Sequence, residues 1–76
     1  MEIKEFIEKF AECFDETDAS EFTPGTKFRE LEEWSSMTVL SVIAMIGDEY
    51  DVPMMGFDIR ECETIQDLFE KVKSKM

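Results

Sequence analysis

The run from Glu33 to Val52 limits most strongly what this chain can become. In it, Ser35-Ser36 stand ahead of the apolar residues Val39, Leu40, Val42, Ile43, Ala44 and Ile46. Apolar positions recurring at spacings of three and four spell a helix. Small hydroxyl residues just ahead suit its start, because their oxygens accept backbone N–H groups that have no partner inside the helix. The spacing predicts a helix from Ser36 to Asp48 or a little beyond. Because it is apolar over more than one stripe, it must be contacted from several sides and forms the centre of the core. Gly47 weakens its last turn by ~1 kcal/mol relative to alanine. Asp48, Glu49 and Asp51 gather at the end where the helix dipole disfavours negative charge, so something outside the helix must account for them, and a basic partner is one candidate.

The rest of the chain reads as support for that element. From Glu2 to Phe14, the residues Ile3, Phe6, Ile7, Phe10, Cys13 and Phe14 recur at helical spacing with charged residues between them, giving an amphipathic helix whose heavy face belongs in the core. Between Asp15 and Glu33 the pattern breaks at a polar stretch and at the turn signature Thr23-Pro24-Gly25-Thr26. So long a connection needs pinning by its own side chains, for which Phe22, Phe28 and Leu31 are available. Trp34 is expected to pack against this loop. The acids from Asp15 to Glu21 lack the glycine and the distal glutamate of a calcium-binding loop. After Pro53, Met54 to Cys62 is long enough for one or two loose turns. Thr64 followed by Asp67 resembles a capping box opening a last helix, with Ile65, Leu68, Phe69 and Val72 as its apolar stripe and Lys71, Lys73 and Lys75 near its C-terminal end. No stretch alternates as a strand would. The fold class is therefore all-α, a single domain over residues 1–76 with three main helices and one short one.

Composition narrows the function. With 43% apolar residues the chain can build a core, but at 76 residues it cannot enclose a large active site. Its net charge of −11 repels nucleic-acid phosphates and anionic lipid, and makes a basic protein the natural counterpart. No apolar run is long enough to cross a bilayer, and Met1-Glu2-Ile3-Lys4-Glu5 lacks the basic start and apolar block of a signal segment, so the expected location is the cytoplasm. Cys13 and Cys62 read as small buried or half-buried thiols. The chain contains no histidine, which removes serine–histidine and cysteine–histidine nucleophiles, and no paired-cysteine spacing supports zinc. This chain is not expected to be an enzyme.

The residues from Leu31 to Val52, a serine followed by a bulky apolar residue and a long apolar helix ending in Glu49-Tyr50-Asp51-Val52-Pro53, resemble the acyl carrier protein family. The likeness extends over most of the chain: a first amphipathic helix, a long loop, the serine-headed second helix, a short third helix and a capped fourth. Members of that family carry an aspartate-serine-leucine motif whose serine holds 4′-phosphopantetheine donated by coenzyme A. The matching tripeptide here is Ser35-Ser36-Met37, and counting back from Tyr50-Asp51-Val52 lands on Ser36. Ser35 stands in the aspartate position and keeps its capping ability without its charge.

The resemblance implies an acyl carrier protein fold, a four-helix bundle with a long loop between the first two helices. It also implies a monomer that carries acyl thioesters on the Ser36 arm to fatty-acid, lipid or secondary-biosynthesis enzymes. Its partners would be a phosphopantetheinyl transferase and acyl-transferring or synthase enzymes with basic docking patches. Thr38 and Ser41 occupy positions where relatives often carry acids, so docking would fall to Asp48, Glu49 and Asp51, with Glu30, Glu32 and Glu33 ahead of the serine. The cargo could be a fatty acyl chain, a polyketide unit, an amino acid or a sugar-modifying acyl group. An apolar cargo could slip between helices near Val42, Ile46, Ile59 and Ile65, unless these are ordinary core. The alternative to a carrier is an unmodified acidic helical adaptor that uses both serines only as a cap.

Overall fold

The computed structural model describes residues 2–76; Met1, part of the start read above for a signal segment, lies outside them. Four α-helices follow in order: α1 (Ile3–Ala11), α2 (Ser36–Tyr50), α3 (Gly56–Arg60) and α4 (Ile65–Lys75). Among the described residues there are no strands, only one isolated bridge between Lys27 and Thr64. No helix among them is long and apolar enough to cross a membrane.

α1 stops at Ala11 rather than at Phe14. The hydrogen bonds tighten there: Cys13 N–H donates to Phe10 O and Phe14 N–H to Ala11 O, three residues back instead of four. The chain turns, yet Phe14 stays buried because its ring meets Phe10, Phe22 and Trp34. The apolar periodicity is thus satisfied by packing beyond the point where the helix ends.

The connection from α1 to α2 contains two 3₁₀ turns, Ala19–Glu21 and Phe28–Glu30. Phe22 and Phe28 pin it into the core, with Leu31 packed against them. Trp34 packs against the loop, as the sequence suggests, and against α1 too: its ring centroid lies 4.8 Å from that of Phe28 and 6.5 Å from that of Phe10. Phe10, whose ring meets those of Phe6, Phe14, Phe22, Phe28 and Trp34 and which has no exposed surface, is the hub of this aromatic layer.

α2 runs to Tyr50, two residues past Asp48. It ends at Asp51, whose φ of 56° is left-handed and whose N–H donates to Gly47 O. Gly47 consequently lies within the last full turn of the helix. Glu49 has an intramolecular explanation: its carboxylate pairs with Lys9 of α1, and that hydrogen bond holds the Lys9 ammonium above the usual lysine range.

α3 is one short element of five residues. Asp58, 4% exposed, accepts the N–H of Met55 at 2.9 Å and so ties off the helix start. Its other oxygen lies 3.8 Å from both Lys71 and Lys75 of α4, while Lys71 also pairs with Glu61 at 2.9 Å. The lysines at the end of the last helix therefore dock α3 as well as suiting the helix dipole.

α4 opens with the anticipated capping box. Asp67 N–H donates to Thr64 Oγ1, and the Asp67 carboxylate accepts the N–H of Thr64. The first two free N–H groups are satisfied from the long loop: Ile65 N–H donates to Thr26 O and Gln66 N–H to Pro24 O. The Thr23–Thr26 turn thereby fastens the loop to the far end of the fold. Cys13 and Cys62 are free thiols, and burial raises the pKa of both.

Candidate functional site: the start of α2 and its groove

The two adjacent serines have different jobs. Ser35 has extended backbone (φ −153°, ψ 174°) and is the N-cap of α2; its Oγ accepts the N–H of Thr38 at 3.4 Å. The Thr38 hydroxyl donates to Glu33 O at 2.7 Å and lies 3.2 Å from Ser35 Oγ. With the Thr38 proton given to Glu33, Ser35 is the donor in that contact, so its hydroxyl is engaged in both directions.

Ser36 is the first helical residue. Its side chain is exposed, and its hydroxyl has no hydrogen-bond partner among the described residues. The N–H groups of Ser36 and Met37 also lack a partner there, leaving the positive end of a 15-residue helix open beside a free hydroxyl.

The acids ahead of Ser36 do not all face outward to a partner. Glu33 turns back to the loop, where its carboxylate accepts from Asp15 N–H (3.1 Å), Glu16 N–H (2.8 Å) and the Thr17 hydroxyl (2.5 Å). These bonds, that from Thr17 foremost, hold its carboxyl below the usual carboxylate range. Glu30 and Glu32 remain exposed. Asp48 and Glu49 sit near the opposite end of α2, about 20 Å from Ser36 at the helical rise.

Beside Ser36, between α2 and α3, lies an open groove of about 600 Å³. Trp34, Val39, Leu40, Ile43 and Ile59 supply its apolar lining. The two serines and Gly56 border it, and Arg29 and Arg60 are the only charged residues on it. Of the residues that the sequence left as either cargo-facing or ordinary core, three are core. Val42, Ile46 and Ile65 have no exposed surface and belong to the core, so only Ile59 of that set borders open space. Val39 and Ile43 lie one helical step from Val42 and Ile46 and face the groove instead.

The elements bordering the groove also expose large apolar side chains: Met37 (77%) and Leu40 (65%) on α2, and Met55 and Phe57 at the start of α3. Phe57 is the only phenylalanine outside the core among the chain's seven. Arg29 and Arg60 belong to no motif. The one signal available for them is that they are the only cations between Lys27 and Lys71. Among the described residues no cluster of carboxylates and thiols could hold a metal ion.

Comparison of the chain with protein-family models, with curated proteins and with solved structures finds no match.

Proposed function

We propose that this chain is an acyl carrier module of the acyl carrier protein type, with Ser36 as the attachment point for 4′-phosphopantetheine. The observation that carries the reading is the division of labour at the start of α2: Ser35 caps the helix, which leaves Ser36 exposed and unpartnered.

The surroundings fit such a group. A phosphodiester on Ser36 would lie at the open N–H groups of Ser36 and Met37, where a helix terminus favours an anion. The arm supplies a terminal thiol that holds an acyl group as a thioester. This chain's residues present the hydroxyl, fix its place on a rigid helix and offer the exposed Met37 and Leu40 to an enzyme docking over it. Tethering would raise the effective concentration of the cargo at that enzyme. Of the acids first assigned to docking basic enzymes, Glu33 and Glu49 already have partners inside the fold, and Asp48 and Asp51 are exposed.

The test is intact-mass analysis after incubation with coenzyme A and a broad-specificity phosphopantetheinyl transferase. Wild type and Ser35→Ala gain one phosphopantetheine, and Ser36→Ala gains none. No gain on folded wild type overturns the carrier reading in favour of the unmodified adaptor.

A further inference from the structure

The apolar surface that this fold leaves uncovered is largely methionine. Among the described residues five large apolar side chains are exposed, and three of them are Met37 (77%), Met55 (57%) and Met76 (65%), the last at the C-terminus. Met37 is the most exposed of the five and directly follows Ser36 in the first turn of α2. Met54 is buried and Met45 packs against the core, so both are shielded where Met37 is open. The thiols are guarded as well. Cys13 is half-buried and Cys62 buried, and burial raises the pKa of both, which keeps them from the thiolate form that attacks a peroxide. A thioether needs no ionisation to react.

We propose, resting on the carrier reading above, that Met37 is an oxidation site whose sulfoxide, formed by a peroxide, blocks the loading of Ser36. A lone pair of the thioether sulfur attacks one peroxide oxygen and the O–O bond breaks. The proton on the transferred oxygen passes to the departing hydroxide, which leaves as water. The sulfur is oxidised by two electrons and the peroxide is reduced. A flexible apolar side chain thereby becomes a polar one. Any enzyme acting on Ser36 must cover the next residue, and a sulfoxide oxygen buried there without a donor weakens docking. The Ser36 hydroxyl itself is unchanged, so reduction of the sulfoxide by thiol-dependent reductases reopens the site.

The full chain is treated with hydrogen peroxide at pH 5, where thiolate is scarcer still, and the reaction is stopped with catalase once Met37 is converted. Peptide mass mapping locates each added oxygen: Met37, Met55 and Met76 are oxidised well before Met45 and Met54. Phosphopantetheine transfer from coenzyme A is then followed at pH 7 by intact mass, each protein being compared with its own unoxidised form. Oxidised wild type loses about tenfold or more in kcat/KM, chiefly through KM, because the lost contact is one of docking. Oxidised Met37→Leu keeps its rate, oxidised Met55→Leu loses as much as wild type, and reductases specific for the two sulfoxide epimers restore wild type. Circular dichroism and Tm stay unchanged on oxidation, because Met37 is exposed. Equal loading of oxidised and unoxidised wild type, an equal loss in oxidised Met37→Leu, a lowered Tm, or conversion of Met54 ahead of Met37 overturns the proposal and leaves the carrier reading standing. No phosphopantetheine on unoxidised wild type overturns both.

Discussion

The Ser35 hydroxyl accepts the backbone N–H of Thr38 at 3.4 Å and thereby closes the first turn of α2, so the hydroxyl left free at this helix start is that of the next residue. An N-cap side chain is defined by the bond it accepts from the third residue on. Only one of two consecutive serines can stand at that distance.

Ser35→Ala should therefore cost about 1 kcal/mol of stability, a fall of about 4–8 °C in Tm for a domain of this size. Ser36→Ala, at an exposed first helical position, should stay within about 0.5 kcal/mol of wild type. Thermal unfolding followed by circular dichroism separates the two, and equal losses would contradict the assignment of roles.

Gly47→Ala should stabilise the protein by about 1 kcal/mol, because alanine is the better helix former inside α2. Nothing lies within 4 Å of the added Cβ, and the bond from Asp51 N–H to Gly47 O is untouched. A urea midpoint that falls or does not move would show that this last turn is held by something other than helix propensity.

Phe10→Ala should remove a large share of the chain's stability. At roughly 0.05–0.15 kcal/mol per residue, a chain of 76 residues holds about 4–11 kcal/mol in all. Emptying a fully buried phenylalanine site costs about 3–5 kcal/mol. The urea midpoint should fall steeply, and Phe10→Leu should recover much of the loss; an unchanged midpoint would show that Phe10 is not the hub of the core.

Tyr50→Phe should equal or exceed wild-type stability by up to about 1 kcal/mol. The Tyr50 hydroxyl is buried with no hydrogen-bond partner among the described residues, and its ring, 5.8 Å from that of Phe6, can pack as well without it. Destabilisation in urea would reveal a partner for that oxygen.

The acid limb of the stability profile should carry the signature of Glu33. Its carboxyl, held low by the hydrogen bonds it accepts, contributes stability that is present above the ordinary glutamate pKa and is lost as pH falls through its lower folded value. Asp67, held low chiefly by the N–H groups of Thr64 and Glu63, acts in the same direction. Between pH 5 and 3, Glu33→Gln should therefore lose less stability than wild type, measured by chemical unfolding at each pH. Parallel losses would place the acid lability elsewhere.

Much of the fold was legible because its signals are local. The Thr64–Asp67 box marked the start of α4, and Ser35-Ser36 ahead of Val39 marked that of α2, since caps and periodicity act within one or two turns. The ends were less legible. α1 was read through Phe14 because the apolar spacing continues past the residue where the hydrogen bonds tighten. α2 ends at Tyr50, a little beyond Asp48 as read, but the pairing of its Glu49 with Lys9, forty positions away, carried no local signal. The acid before the serine, Glu33, looked like part of a docking surface and is instead an acceptor for the loop's N–H groups.

By itself the sequence determined that this is an all-helical chain with a hydroxyl-headed central helix, because backbone capping and the period of apolar residues are written in consecutive positions. Only the tertiary structure decided that Ser36 borders an open apolar groove flanked by Arg29 and Arg60, with Val42 and Ile46 sealed in the core one helical step away. Which side of α2 meets α3, and which cations are left without acids, depends on how separate segments pack against one another, and no single stretch of chain carries that information.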